Sequence, residues 1–183
     1  MFRRTVLAAT AALAVTAGLP SLAHAKDPWP TKTITLVQPY APGGTSDMLA
    51  RIVALELEKR IDASVIVESK PGANGNIATA FVSRAKPDGG TFLVGSSSPV
   101  VISPTLYKSV PYNPRTDLTP ITPIAKAPFL LVTGATSGIN SVEELVEQIK
   151  ADKVNFGSAG AGSPQHMIAE MFHMQVKAKA PHI

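Results

Sequence analysis

Residues 33–47 read TITLVQPYAPGGTSD, and this stretch decides the fold. Thr33 to Tyr40 is rich in β-branched and apolar residues, which predicts a buried strand. Gly43 and Gly44 then allow a tight turn and close backbone approach. From Met48 to Ile61 the apolar residues Leu49, Ile52, Val53, Leu57 and Ile61 recur at helical spacing. The order is therefore strand, Gly-rich loop, helix, with Thr45 or Ser46 placed to cap the helix. The first-turn N–H groups of such a helix carry partial positive charge and suit a carboxylate or phosphate. An ordinary βα turn with a capped helix explains the same residues.

The pattern repeats outward. Ser64 to Val67 is a second short strand and Asn76 to Ala85 a helix, preceded by the flexible loop Lys70–Asn76, in which Asn74 or Asn76 can cap. After the turn at residues 86–90, Thr91 to Gly95 is a third strand. Strand-helix-strand-helix-strand order predicts a parallel sheet covered on both faces. Seven prolines between Pro99 and Pro128 exclude a long helix there and predict an extended crossing segment. Beyond it, Phe129–Thr133 and Val154–Phe156 read as strands. Ser141–Lys150 reads as a helix opened by a Ser141/Glu144 capping box. Ser163 and Pro164 open a last helix running to about Val176, which is expected to bury Ile168, Met171 and Phe172. Two α/β segments joined by a Pro-rich crossing imply two lobes with a cleft: residues 26–125 form the first, and 126–183 begin a second that is too small to cover both faces of a sheet.

At the other end, Met1–Thr5 is a short positive start and Val6–Leu19 an apolar run of 14 residues. A membrane span needs about 20 apolar residues, and Ala23-His24-Ala25 offers the small-x-small pattern of a signal-peptide cleavage site. Residues 1–25 are thus read as a signal peptide cleaved after Ala25. Removing Arg3 and Arg4 lowers the formal charge from +4 to +2. The remaining cations are scattered, which argues against a nucleic-acid surface. The absence of Cys excludes disulfides, thiolate metal sites and a Cys nucleophile.

A second Gly-rich strand-to-helix loop, GSAGAGSP, spans residues 157–164, with Ser158 and Ser163 adding hydroxyls. Neither this loop nor residues 39–47 contains Lys or Arg, so neither is a P-loop, and Gly160-Ala161-Gly162 lacks the third glycine of a dinucleotide fingerprint. Two anion-ready loops on separate lobes are what a cleft needs to grip a small anion from both sides. Ser96 and Ser97, at the end of the third strand, supply either rim hydroxyls or an ordinary polar strand end. No G-x-S-x-G surrounds them, so a serine hydrolase with His166 as base is the weaker alternative. His166, Glu170 and His173 share one helical face, a possible metal-ligand spacing, but H-E-x-x-H is absent; no metal and no cofactor is expected.

Five ordered motifs carry a family resemblance: WPTKTITLVQPYAPGGTSDMLAR, VIVESKPGANGNIA, KPDGGTFLVGSSS, SPTLYKSVPYNPRTDLTPI and VNFGSAGAGSPQHMIAEMF. From Trp29 to about Met174 the chain resembles the Bug (TctC-like) periplasmic solute receptors of tripartite tricarboxylate transporters. The resemblance implies an α/β, two-lobed periplasmic-binding-protein-like fold of type II with the second lobe incomplete. It also implies a periplasmic protein that is not an enzyme and passes a small carboxylated solute to membrane permease subunits. In that family carboxylates are held largely by backbone N–H groups and water. By its pattern Tyr40, Gly43, Gly44, Thr45 and Asp47 serve one lobe, and Ser158, Ala159, Gly160 and Ser163 the other. PGGTSD has one glycine fewer than the common three-glycine form. Family members continue further, which reads as C-terminal truncation and a non-binding fragment as the alternative, and Ala178–Ile183 reads as a departure from the family pattern.

Overall fold

The computed structural model describes residues 29–183; the expected signal peptide lies outside them. Three parallel strands form one sheet in the order β2-β1-β3: β1 (Thr33–Gln38), β2 (Ser64–Ser69) and β3 (Thr91–Leu93). Thr33 pairs with Ser64 and Thr35 with Thr91, so the central strand is bonded on both edges. Helix α1 (Thr45–Glu58) joins β1 to β2, and α2 (Asn76–Ser83) joins β2 to β3. The chain first steps to one side of β1 and then back across it. With right-handed crossovers this puts the two helices on opposite faces of the sheet.

Strand alternation sorts the core accordingly. Ile34 and Leu36 pack with Val65, Val94 and the small residues Ala50 and Ala54 of α1. Val37 is fully buried on the other face, as are Ala78 and Thr79 in α2. The strands' carboxyl ends run directly into the loops at Pro39 and Gly95, which is where an open parallel sheet places its ligand crevice.

After β3 a π-turn (Ser98–Ile102) leads into the short α3 (Ser103–Leu106). No further helix or strand occurs until α4 (Val142–Lys150), followed by α5 (Pro164–Val176). The stretch expected to be extended from Pro99 is therefore helical as far as Leu106, because Pro99 and Pro104 sit in first helical turns where no N–H is needed; it then turns at Asn113–Asp117 and carries no helix or strand over the rest.

Two expected strands are not formed. Phe129–Thr133 carries no ladder, and Leu130 and Val132 are 82% and 77% exposed. β-Branched residues favour an extended chain, but a strand needs a neighbour for its backbone groups, and none of the described residues lies alongside. Val154–Phe156 is reduced to one parallel bridge, Phe156 with His182. Phe156 donates its N–H to Pro181 (2.9 Å) and accepts that of Ile183 (3.0 Å). Residues 181–183 are therefore tied to Phe156, and Ala180 beside them is only 2% exposed.

The helix starts also differ in detail. Ser141 accepts from the Glu144 N–H (3.1 Å), but the Glu144 carboxylate takes the Asn140 N–H (2.7 Å) and not that of Ser141, so the box closes one residue early. Helix α2 is preceded by Gly75 with no side-chain cap. Asn76 lies inside the helix, accepting from the Tyr112 hydroxyl (2.7 Å), while Asn74 turns elsewhere. In α5 the buried residue is His173, whereas Ile168 and Met171 are exposed, because that face meets no neighbour among the described residues.

Candidate functional site

The first loop is shaped by a buried residue that its sequence does not advertise. Gln38 ends β1 with no exposed surface. Its amide nitrogen donates to the Tyr40 carbonyl and to Ser69 Oγ (both 2.6 Å), and its Oε1 accepts the Tyr40 N–H (3.0 Å). Gln38 thus folds the chain sharply at the sheet edge. Gly43 follows at φ +85°, a left-handed backbone that strains any side chain.

Helix α1 begins at Thr45, with Gly44 at its N-cap and no hydroxyl cap. Thr45 and Ser46 start the helix itself and are past the position from which a side chain can cap. Asp47 acts instead. Its Oδ2 accepts the Gly43 N–H and the Arg51 Nε–H, both at 3.0 Å. The Arg51 hydrogen bond, then that of Gly43, holds the Asp47 carboxyl below the usual carboxylate range, against the opposing effect of burial. Asp47 Oδ1 is buried with no partner among the described residues. The N–H groups of Gly44, Thr45 and Ser46 likewise meet no acceptor among the described residues, and Gly43, Gly44 and Thr45 are exposed.

The second loop is tied mostly to itself and to the end of the chain. Ser158 Oγ accepts the Gly160 N–H (3.1 Å) and lies 2.8 Å from His182 Nε2. Ser163 Oγ donates to Ser158 (3.4 Å) and caps α5 by accepting the His166 N–H (3.2 Å). Ala159 is exposed. His166 and His173 both stand 3.9 Å from Glu170 Oε1, as their shared helical face implies. His182, not singled out by sequence, joins them: its ring lies 4.6 Å from that of His166 and 4.7 Å from that of Phe156.

The serine run links the loops. Ser96 Oγ is 2.6 Å from the Tyr40 hydroxyl, and the buried Ser98 donates to the Gly162 carbonyl (3.1 Å). Ser97, between them, is exposed. These contacts fasten two of the serines as hydrogen-bonding rim groups, and none of the three is paired with His166. From the base of α2, the Asn74 amide donates to the Ala161 carbonyl (2.6 Å). The two Gly-rich loops therefore approach a common rim made by Tyr40, Ser96 and Ser98. A groove of about 780 Å³ opens elsewhere, between α2 and residues 107–111, lined chiefly by Ile77, Ala80, Phe81 and Val110. It is apolar, whereas the first loop carries first-turn N–H groups of α1 that meet no acceptor among the described residues, so the loops are the better candidate site.

Known proteins resemble this chain in sequence and fold. A UPF0065 protein of Bordetella bronchiseptica is 37% identical over 155 residues, covering 85% of this chain and 46% of the relative. Protein BugT of Bordetella pertussis is 32% identical over 94% of this chain and 54% of its own. Among solved structures, Rhodopseudomonas palustris Rpa4515 with adipate superposes with a TM-score of 0.78 at 32% identity, covering 85% of this chain and 53% of that one. MatC of the same organism, with bound malate, gives 0.75 at 27% identity over the same shares. A further match is the periplasmic binding protein BugD, with a TM-score of 0.65 at 29% identity. The α/β fold is thus that of periplasmic binding proteins, and the chain spans about half the length of the relatives it matches. The sequence profile described as the tripartite tricarboxylate transporter family receptor, TctC, matches residues 49–183, a range that includes the six residues read as departing from the family pattern. With that match over most of its length, this chain belongs to the TctC family of tripartite tricarboxylate transporter receptors.

Proposed function

We propose that this protein captures a small carboxylated solute in the periplasm and presents it to the membrane permease subunits of a tripartite transporter. The observation that carries this is that two cation-free Gly-rich loops, each leading into a helix amino end, hydrogen-bond to the same serine run, through the Tyr40–Ser96 and Ser98–Gly162 contacts. Backbone donors at a helix start favour an acid group without a fixed cation. On this reading residues 26–125 supply the first wall of the cleft and residues 126–183 begin the second. Gly43, Gly44 and Thr45 offer N–H groups from the first, while Ser158, Ala159, Gly160 and Ser163 serve from the second. Tyr40, Ser96 and Ser97 line the rim. The unpartnered Asp47 Oδ1 receives a donor, such as a solute hydroxyl or a water that bridges to the acid, because a carboxylate repels a bare anion.

Structural relatives with adipate and with malate give the solute class two probes. Among the described residues no helix is long and apolar enough to cross a membrane. Export is proposed to proceed through a signal peptide cleaved after Ala25, so that the mature chain starts at Lys26; the N-terminal sequence of the secreted protein checks this. The functional test is calorimetric titration of the chain with adipate, malate and an uncharged diol of matched length. Saturable binding of a diacid but not of the diol is expected. Saturation raises stability by about 2.7 kcal/mol at a ligand concentration of 100 Kd. No binding to either diacid, with the chain cooperatively folded, would overturn the reading.

A further inference from the structure

The geometry points to Asn74 as a latch: its side-chain amide, helped by Tyr107 and Ser98, clamps the second Gly-rich loop to the first wall. Asn74 Nδ2 donates to the Ala161 carbonyl at 2.6 Å and to the Tyr107 hydroxyl at 3.1 Å. Tyr107 itself reaches the same carbonyl at 3.4 Å, and Ser98 Oγ donates to the next one, Gly162, at 3.1 Å. Two successive carbonyls are thus turned toward the first wall. The peptide plane sends each following N–H the opposite way, and both find partners away from the first wall: Gly162 N–H at His166 Nδ1 of α5 (3.4 Å) and Ser163 N–H at the Gly160 carbonyl within the loop (3.1 Å). The latch therefore uses the loop's carbonyls at residues 161 and 162, and leaves the N–H groups of Ser158 and Ala159 for the proposed ligand.

Backbone conformation supports the assignment independently. Gly72, Ala73, Asn74 and Gly75 all have positive φ, at 126°, 47°, 54° and 90°. A left-handed run that includes two non-glycine residues is costly and persists only where surroundings impose it, and Asn tolerates that region better than most. The kink carries the Asn74 side chain across 87 residues of sequence to Ala161. Close fit completes the clamp. A Cβ at Gly162 would lie 2.9 Å from Leu106 and 3.0 Å from the Tyr107 hydroxyl, and Gly162 has φ +81°. Only glycine lets the loop come this near.

The latch is a contact within the chain, so it can be tested on the chain alone. There is no cysteine, so spin labels can be attached at Lys59→Cys, at the C-cap of α1, and Lys150→Cys on α4, both exposed. Pulsed dipolar spectroscopy on this labelled pair is expected to give one narrow distance distribution. Asn74→Asp keeps the shape but sets a carboxylate oxygen against the Ala161 carbonyl, so the distribution should broaden at pH 7. It should narrow again near pH 4, about where a carboxylate takes up a proton and becomes a donor, while the labelled parent stays unchanged over that range. Should Asn74→Asp fail to fold, Tyr107→Phe, which removes one member of the clamp, should give a smaller broadening without pH dependence. An unaltered distribution in a folded Asn74→Asp chain, or in Tyr107→Phe if that is the variant which folds, would overturn the latch. The consequence for the solute rests on the receptor reading: where the parent binds adipate or malate, Asn74→Asp at pH 7 should weaken it about tenfold through faster dissociation. A parent that binds neither diacid sinks the receptor reading alone, since the distances stand without it.

Discussion

Asp47 shows how sequence can place a residue without showing how its two oxygens are used. Its position in the first turn of α1 is evident from the PGGTSD string, and the helix dipole favours a carboxylate there. What the string does not encode is that one oxygen is already engaged by the Gly43 N–H and Arg51, while the other is buried without a partner. Since the folded-state pKa lies below the ordinary value, the charged carboxylate stabilises the fold above the unfolded pKa, and that contribution fades as pH falls through the folded one. Asp47→Asn should therefore be less stable than the parent at pH 7. The difference should shrink to nothing in strong acid, below about pH 3.9 and the lowered native value. Urea unfolding of both proteins from pH 7 to pH 2 checks the sign. Gln38 and His182 were missed altogether. A buried Gln at a strand end looks like any polar terminus, and a His near the last residue finds Ser158 only through the Phe156 bridge.

Elements were legible where local pattern and tertiary need coincide. The three sheet strands follow from their β-branched and apolar runs and α1 from its helical spacing, while Ser141 and Ser163-Pro164 correctly mark the starts of α4 and α5. Phe129–Thr133 failed because β-propensity describes fitness for a pleated, half-buried surface, and no such surface faces it. Asn74 and Asn76, expected as possible caps in the Lys70–Asn76 loop, do not cap α2 for a related reason: left-handed backbone at Ala73 and Asn74 goes with distant contacts that local sequence does not encode. Two contrasts test these assignments. Ile34→Ala, in the central strand, should cost about 2–5 kcal/mol, whereas Leu130→Ala should stay within about 0.5 kcal/mol. Likewise Ser163→Ala should cost about 0.5–2 kcal/mol by removing a true cap, and Thr45→Ala, which caps nothing, should cost much less. Equal costs within either pair, measured by denaturant unfolding, would contradict the burial and capping seen here.

At the scale of the whole molecule, stability is unevenly shared. The buried apolar cluster belongs to β1, β2, β3 and α1, with Ile34 at no exposure and Leu36 at 4%. Helices α4 and α5 bury little apolar surface, and the second loop is joined to the first half through carbonyls at Ala161 and Gly162. Regions with few buried contacts open at lower free energy than the core. Amide exchange should therefore be slowest in Thr33–Gln38 and much faster in Val142–Lys150. Gly162→Ala should widen that gap, because the added methyl meets Leu106 and Tyr107 at a positive φ and forces the loop off its seat. Its effect should be confined to residues 142–183, with protection of β1 unchanged. Uniform acceleration across the chain would instead mean that both halves unfold as one unit. The loops would then be held together by global folding, and the contacts of Asn74 and Ser98 would be its consequence, with no separate clamping role.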